Sequence, residues 1–276
     1  MSTAKAEGPV MIDAHCHLHF AAFDGERDEA LARAADAGVR GLVVADYDHR
    51  LRGALQHLGE RPGVAVCAGV HPWAVDALGA EALTRELTLL EEALASPGWA
   101  AVGEFGLDFV RATDKDARAL QLRACSAQLR MARERELPVV LHAVRCHSTL
   151  HDLLRREGPS PAGGIMHGYS GSARQVPLFL MHGLDISVGG RLAKHAEKLR
   201  AVVQQVPADR LHLETDCPDG PVPGDSGSER SEPADLVEVV RAVAAALGQS
   251  PERLAARCAE NTRRLFHLDS TLSADA

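Results

Sequence analysis

Nowhere does the chain carry 18 uninterrupted apolar residues, so a membrane-spanning helix is excluded. Its first ten residues, MSTAKAEGPV, lack the apolar stretch of a signal peptide. The expected location is therefore the cytoplasm, with no membrane partner. The six cysteines form no CxxC pair and lie far apart, which argues against a disulfide framework and fits reduced thiols. No GxGxxG or GxxxxGK[ST] follows any strand-like run, so the usual markers of a nucleotide-binding open sheet are missing. Basic charge is in deficit: 30 Lys and Arg against 38 Asp and Glu give a net charge of −8. No general positive field is available to hold a polyanion, and any nucleic-acid contact must be local or metal-assisted. Fourteen histidines suit the second route, because imidazole is the commonest metal ligand. With 46% hydrophobic and 25% charged residues and only 14 prolines, the composition is that of a packed globular chain.

What is present is a regular alternation. Short β-rich runs near 10–15, 40–45, 64–69, 100–104, 138–142, 163–167, 184–188 and 210–214 are separated by stretches with helical spacing of apolar residues, such as 28–38, 114–136 and 173–183. Gly38 and Gly183 fall where helices should stop, and Pro138 opens a strand. Eight strand-then-helix units in 276 residues predict an α/β fold, a (β/α)₈ TIM barrel with its active site at the C-terminal strand ends. The alternative is an open doubly wound sheet. The barrel is expected to be a single domain over 1–276, with a core of about 11–267 and short flexible termini. A low-complexity loop, 218–233, follows the eighth strand and would lie over the mouth. Two closing helices are expected at 234–247 and 251–266.

The chemistry gathers at the strand ends. Asp13-Ala14-His15-Cys16-His17 ends an apolar first strand, and strict alternation would place Asp13, His15 and His17 on one face with Cys16 toward the helices. Strand four would end in Gly103-Glu104, strand five in Leu141-His142, strand six in Met166-His167 and strand eight in Glu214-Thr215-Asp216. Four histidines and two carboxylates exceed the needs of one tetrahedral zinc. Two divalent ions are the economical reading, with Glu104 bridging, His15, His17 and Asp216 on one ion and His142 and His167 on the other. Such a pair polarises a phosphoryl oxygen and activates water. Asp216 can double as proton acceptor; the plainer role for it is a helix N-cap. The donors suit Zn, Mn, Fe, Co or Ni, and Mg where oxygen ligands dominate.

At this point the sequence resembles a known family. IDAHCHLHF, GVHPW (69–73), GEFGLDF (103–109), HGYSGS (167–172), LETDCP (213–218) and NTRRLF (261–266) look like the signature blocks of TatD-type metal-dependent DNases. VVLHAVRCH, MHGYSGS, VGG and ETDCPDGP bring it nearest to the YjjV-like branch. The resemblance runs from about residue 11 to 267. It implies a metal-dependent-hydrolase barrel with two divalent ions on His15, His17, Glu104, His142, His167 and Asp216, hydrolysing phosphodiesters at DNA ends. Three blocks depart from the family pattern. Val144 stands where many members have the Arg of HxR, with Arg145 one residue later. The family's RNEP appears as Arg230-Ser231-Glu232-Pro233, and Asp219 replaces an aromatic after the proline.

Candidate substrate contacts are His71, Arg145 and Arg191. His71 precedes Pro72 at the third strand end and either touches substrate or packs its loop. Arg191 and Lys194 follow Gly189-Gly190, where barrels often bind phosphate; a charged first helical turn explains them as well. His147 and His151 have i, i+4 spacing without a glutamate base between them, which reads as a solvated helix face. His19, His49, His57, His182, His195, His212 and His267 have no assembled partners and read as surface or core residues. Cys16 and Cys217 flank ligands but should point away from the pocket.

The reading is a dinuclear metal-dependent hydrolase, a deoxyribonuclease with Asp216 and Glu104 at the chemistry and single-stranded DNA or DNA ends as partner. The alternatives are a hydrolase of a small ester or amide on the same metals, and a non-catalytic barrel subunit of a larger assembly. Two divalent ions would leave the formal charge negative, so DNA binding should be weak, salt-sensitive and confined to one or two phosphates.

Overall fold

The eight β-rich runs form eight parallel strands that neighbour one another in sequence order, β1 to β8, in one nearly closed barrel. The strands are β1 (Met11–Cys16), β2 (Val39–Val44), β3 (Val64–Ala68), β4 (Trp99–Asp108), β5 (Val139–Val144), β6 (Gly164–Met166), β7 (Leu184–Val188) and β8 (Leu211–Leu213). This computed structural model describes residues 10–224 and 230–268; the termini expected to be flexible, and 225–229 of the loop over the mouth, lie outside them. Around the strands run α1 (Arg27–Asp36), α2 (Arg52–Gly59), α3 (Pro72–Asp76), α4 (Ala80–Leu94), α5 (Lys115–Glu134) and α6 (His147–Glu157). They are followed by α7 (Val176–Leu180), α8 (Gly190–Ala193), α9 (Ala196–Val203), α10 (Leu236–Leu247) and α11 (Pro251–Phe266). Among the described residues no helix is long and apolar enough to cross a membrane.

Local chemistry sets the helix ends. Asp114 caps α5 by accepting from the Ala117 N–H at 2.8 Å, and Ser250 caps α11 with Pro251 in its first turn. The single helix expected over 173–183 is instead a 3₁₀ turn, Ala173–Gln175, followed by the short α7. Pro177 has no N–H to give and sits in the first turn of α7, where none is needed.

Two apolar layers result. The larger lies between the sheet and the helices, and the smaller fills the barrel, with Ile12, Ala14, Val43, Cys67, Val140 and Ile165 facing inward. Ala259 and Phe266 of α11 complete the inner cluster and close the end opposite the strand C-termini. Strict alternation in β1 is not kept. Ile12 and Ala14 face the interior, Met11 and Cys16 face the helices, and the ladder with β2 shifts between Asp13 and Cys16. The shift turns His15 into the site and leaves Asp13 out of it. The Asp13 carboxylate accepts from the Thr215 N–H at 3.0 Å and the Thr215 hydroxyl at 2.5 Å. With His17 N–H to Cys217 O at 2.7 Å and Asp216 N–H to His15 O at 3.0 Å, these bonds join the β1 and β8 ends of the barrel.

β4 also departs from expectation. It does not end at Glu104 but runs to Asp108, its register against β5 shifting between Gly103 and Phe105 before pairing resumes at Phe105 and Leu141. Glu104 therefore sits within a strand held on both sides. The backbone of Asp46 crosses from the end of β2 to donate to Gly103 O at 3.2 Å and accept from Glu104 N–H at 3.3 Å. Gly69 makes that approach possible, because a Cβ there would stand 2.6 Å from the Gly103 carbonyl carbon. The Asp46 carboxylate accepts from Arg52 Nε at 2.8 Å and from Gly69 N–H at 3.2 Å, which fixes the crossing.

His147 is not on a solvated face. It is buried edge-on against Tyr169 and Phe179, because the apolar stripe of α6 turns inward from its first residue, while His151 pairs with His182 at 3.0 Å.

Substituting Gly69→Ala should cost about 1–3 kcal/mol of stability, the range for overpacking against an unyielding backbone. Because the displaced backbone carries Glu104, metal content should fall with it. Denaturant titration paired with elemental analysis checks both, and unchanged values in the two measurements would contradict the crossing's role.

Candidate active site

Six side chains from five strand ends converge on one carboxylate. Glu104 is buried at the mouth end of the barrel, and its two oxygens address two adjoining groups, which meet where His15, His167 and Asp216 bring donor atoms within 4.8 Å of one another. Oε2 lies 3.2 Å from His15 Nε2 and 3.1 Å from His17 Nε2, with Asp216 Oδ1 3.6 and 3.8 Å from those nitrogens. Oε1 lies 2.8 Å from His142 Nδ1, 2.7 Å from His167 Nε2 and 3.2 Å from His71 Nε2.

The outer edges of the rings show which nitrogens face inward. His17 Nδ1 is 3.0 Å from the Ala45 carbonyl, which can only accept, so Nδ1 carries the proton and Nε2 turns a lone pair to the centre. His142 Nε2 lies 3.4 Å from Asp108 Oδ2, and His167 Nδ1 lies 3.4 Å from Glu214 Oε1. Outer acceptors of this kind fix the tautomer and orientation of metal-binding imidazoles. At the centre Glu104 Oε2 is buried with no hydrogen-bond partner, and on the far sides of their rings His15 Nδ1 and His167 Nδ1 also lack one. Imidazole lone pairs facing carboxylate oxygens repel unless a proton or a cation lies between them.

Protons alone serve poorly. Burial pushes His15 down to about 4, with the neighbouring His167 adding to it, and burial likewise takes His71 down to about 4. Burial opposes charge on His167 as well, but Glu104 and Glu214 outweigh it and hold that imidazole well above its ordinary range. Burial would raise Glu104, yet the imidazoles of His167, His71 and His15 hold its carboxyl well below the usual range. Not all five rings can be protonated around one anion. The donor set, the inward lone pairs and the orphaned oxygen fit divalent cations.

Comparison with known proteins agrees with this chemistry. Residues 12–267 match the family described as TatD related DNase. The chain belongs to that family. It is 34% identical over 266 residues to the 3'-5' ssDNA/RNA exonuclease TatD of Erwinia billingiae, covering 94% of this chain and 99% of that protein. It is 32% identical over 259 residues to the metal-dependent hydrolase YjjV of Escherichia coli, covering 93% and 98%. The crystal structure of that TatD homologue superposes with a TM-score of 0.84 at 31% identity, over 93% of this chain and 98% of the other. The chain is thus a metal-dependent hydrolase of the TatD family, as its sequence blocks imply.

Within this TatD-family site, the three expected substrate contacts fare differently. The mouth holds a cavity of about 320 Å³ lined by His17, Glu104, His142, His167 and Asp216, and both His71 and Arg191 line it. His71 Nδ1 accepts from the Trp73 N–H at 3.1 Å, capping α3, so Nε2 carries its proton and faces Glu104. Loop packing and site contact are joined in one ring. Arg191 Nε stands 3.9 Å from Asp216 Oδ2. Arg145 takes a left-handed backbone at the end of β5, φ 54°, which turns its exposed side chain off the cavity lining. Gly189-Gly190 serve close packing: a Cβ at 190 would meet Pro221 O at 1.6 Å. Among the departures from the family pattern, Arg230 and Glu232 fasten the loop to α1 and its neighbourhood, through Glu26 at 2.8 Å and Arg33 at 2.6 Å. Asp219 lines the cavity, with its backbone carbonyl accepting from Arg191 at 3.3 Å.

The sequence reading missed the outer partners. Asp108 accepts from Trp73 Nε1 at 2.7 Å and the Val110 N–H at 2.9 Å while facing His142; burial works to raise its carboxyl, and these bonds hold it well below the usual range. Glu214 accepts from Ser187 at 2.5 Å and Gly168 N–H at 2.5 Å beside His167. The available signals were GLD after the Glu104 block and the first carboxylate of ETD.

Asp108→Asn keeps the shape but removes the anion behind His142. Metal affinity should fall about 10–100-fold, as for other outer-sphere partners. Competition with a chromophoric chelator measures it, and wild-type affinity would rule out Asp108 as a positioning residue.

Proposed function

We propose that this hydrolase is a dinuclear nuclease that cleaves phosphodiesters of single-stranded DNA or DNA ends. The observation that carries the reading is the division of donors by Glu104, with His15 and His17 at one oxygen and His142 and His167 at the other. Asp216 completes the first group. Two divalent ions, drawn from Zn, Mn, Mg, Fe, Co or Ni, would supply Lewis-acid polarisation of a phosphoryl oxygen and activate water. The names of the family and of its 34%-identical exonuclease relative support nucleic acid as substrate.

The residues divide the remaining work. Burial raises Asp216 to about 6, so it ionises near neutrality and can take a proton from attacking water. His71 Nε2–H is a neutral donor at the cavity wall, suited to a non-bridging phosphate oxygen. Arg191 stands beside Asp216 and can neutralise a phosphate that Asp219 would otherwise repel. With a chain charge of −8, the positive potential would be confined to the metal pocket, favouring an end or a single strand over an extended duplex. The proposal treats 1–276 as one hydrolase domain and, with all six cysteines free, places it in the cytoplasm.

Chelator-stripped protein given Mn²⁺, Mg²⁺ or Zn²⁺ should release nucleotides from end-labelled single-stranded DNA. Asp216→Asn should lower turnover about 10²–10⁴-fold, the range for loss of a general base. Two bound ions per chain with no cleavage under any metal would reject the nuclease reading and leave a hydrolase of small esters or amides.

A further inference from the structure

Aromatic residues make up only 4% of this chain, with two tryptophans and two tyrosines in all. One of each stands at the cavity. Tyr47 follows β2 and Trp73 opens α3, and both rings are half-buried along one wall. Tyr47 also packs against the outer apolar layer, while its ring lines the cavity. Tyr47 is backed by the His71 imidazole, centroids 5.2 Å apart and planes 17° apart. Trp73 meets the same imidazole edge-on at 5.1 Å, and its indole is fixed by the 2.7 Å bond from Nε1 to Asp108. The wall is therefore rigid and continuous with the metal-ligand set.

Arg111 belongs to the same wall. It is exposed, its guanidinium carbon lies 4.4 Å from the centre of the Trp73 ring, and it lines the cavity. Among the described residues its guanidinium has no hydrogen bond and no ion pair, unlike Arg50, Arg52 or Arg230. Arg191 occupies another part of the lining, beside Asp216. A fixed aromatic surface and a planar cation with N–H groups open to a phosphate are parts with which proteins hold single-stranded nucleic acid. The 320 Å³ volume is at the small end for ligand pockets.

We propose that Tyr47, Trp73 and Arg111 form a subsite for the unpaired nucleotide next to the scissile phosphate, the ring faces left uncovered by His71 and Arg111 taking its base and the N–H edge of Arg111 its outer phosphate. The subsite rests on the nuclease reading and adds to its electrostatic preference for single strands a contact that only an unpaired base can make. Stacking tolerates any base, so no sequence preference follows.

Tryptophan fluorescence tests it without turnover. The other tryptophan, Trp99, is buried at the start of β4, the opposite end of that strand from the site, with its Nε1 bonded to Ala93 O at 2.9 Å. Metal-loaded protein is titrated with a cleavage-resistant phosphorothioate tetrathymidylate and with an abasic strand of the same backbone. The expected result is quenching by the thymidylate alone and about tenfold weaker binding of the abasic strand, in line with the loss of base stacking. Affinities are read from the anisotropy of the same strands carrying an end label, which needs no tryptophan, and by that measure Trp73→Ala should bind both strands alike. Arg111→Ala, a change at an exposed residue, should weaken both about equally and flatten the salt dependence. Ordinary metal-dependent cleavage of single-stranded DNA, with no quenching and unchanged affinities in both variants, would overturn the subsite and leave the nuclease reading intact. Protein that neither binds nor cleaves any strand would overturn both.

Discussion

One buried carboxylate, Glu104, sets the terms for the rest of the molecule. A charge taken out of water is costly unless it is paired, and here it is surrounded by five imidazoles, of which His15 and His71 are held neutral by their burial. On the proposed dinuclear reading, cations that accept from both sides at once would resolve the conflict. The donors divide between its two oxygens because Glu104 projects from the middle of a strand and not from a mobile loop. That placement depends on β4 continuing past a register shift and on Asp46 reaching across Gly69 to hold the Gly103-Glu104 backbone.

The supporting shell follows the same logic from outside. Each of His17, His142 and His167 has an acceptor at its outer edge, from three different places: a carbonyl after β2, the end of β4 and the segment after β8. The β1 and β8 ends are joined by Asp13 and the Thr215–Cys217 backbone, so the bonds that close the barrel also set His15 and His17 against Asp216. Stability and metal geometry therefore share residues. A substitution at Asp13 or Gly69 acts on both, although neither lines the cavity.

Much of this was legible in the sequence, because a parallel barrel marks its functional rim at every strand end. The eight strands followed from short β-rich runs, the six converging side chains from the His, Glu and Asp at their ends, and the family resemblance from the blocks around them. What escaped was whatever depends on register or on distant partners. The shift between Asp13 and Cys16 breaks strict alternation, and no periodicity announces it. β4 was read four residues short because Gly103-Glu104 resembles an ending. Arg145 was assigned by its spacing in a motif, but a left-handed backbone turns it off the cavity lining. His147 was read as solvated because i, i+4 spacing does not reveal that α6 faces Tyr169 and Phe179. The aromatic wall comes from two separate loops and leaves no motif.

The central claim is that Glu104 joins two cation sites. Anomalous diffraction from crystals grown with Mn²⁺ or Zn²⁺, compared with a Glu104→Gln variant, tests it most directly. The account predicts two peaks in the wild type, one beside each Glu104 oxygen, the first with His15, His17 and Asp216 and the second with His142 and His167. It predicts reduced occupancy of both in the variant. A single ion that draws on both groups of histidines, or two ions that leave Glu104 uncoordinated, would contradict it.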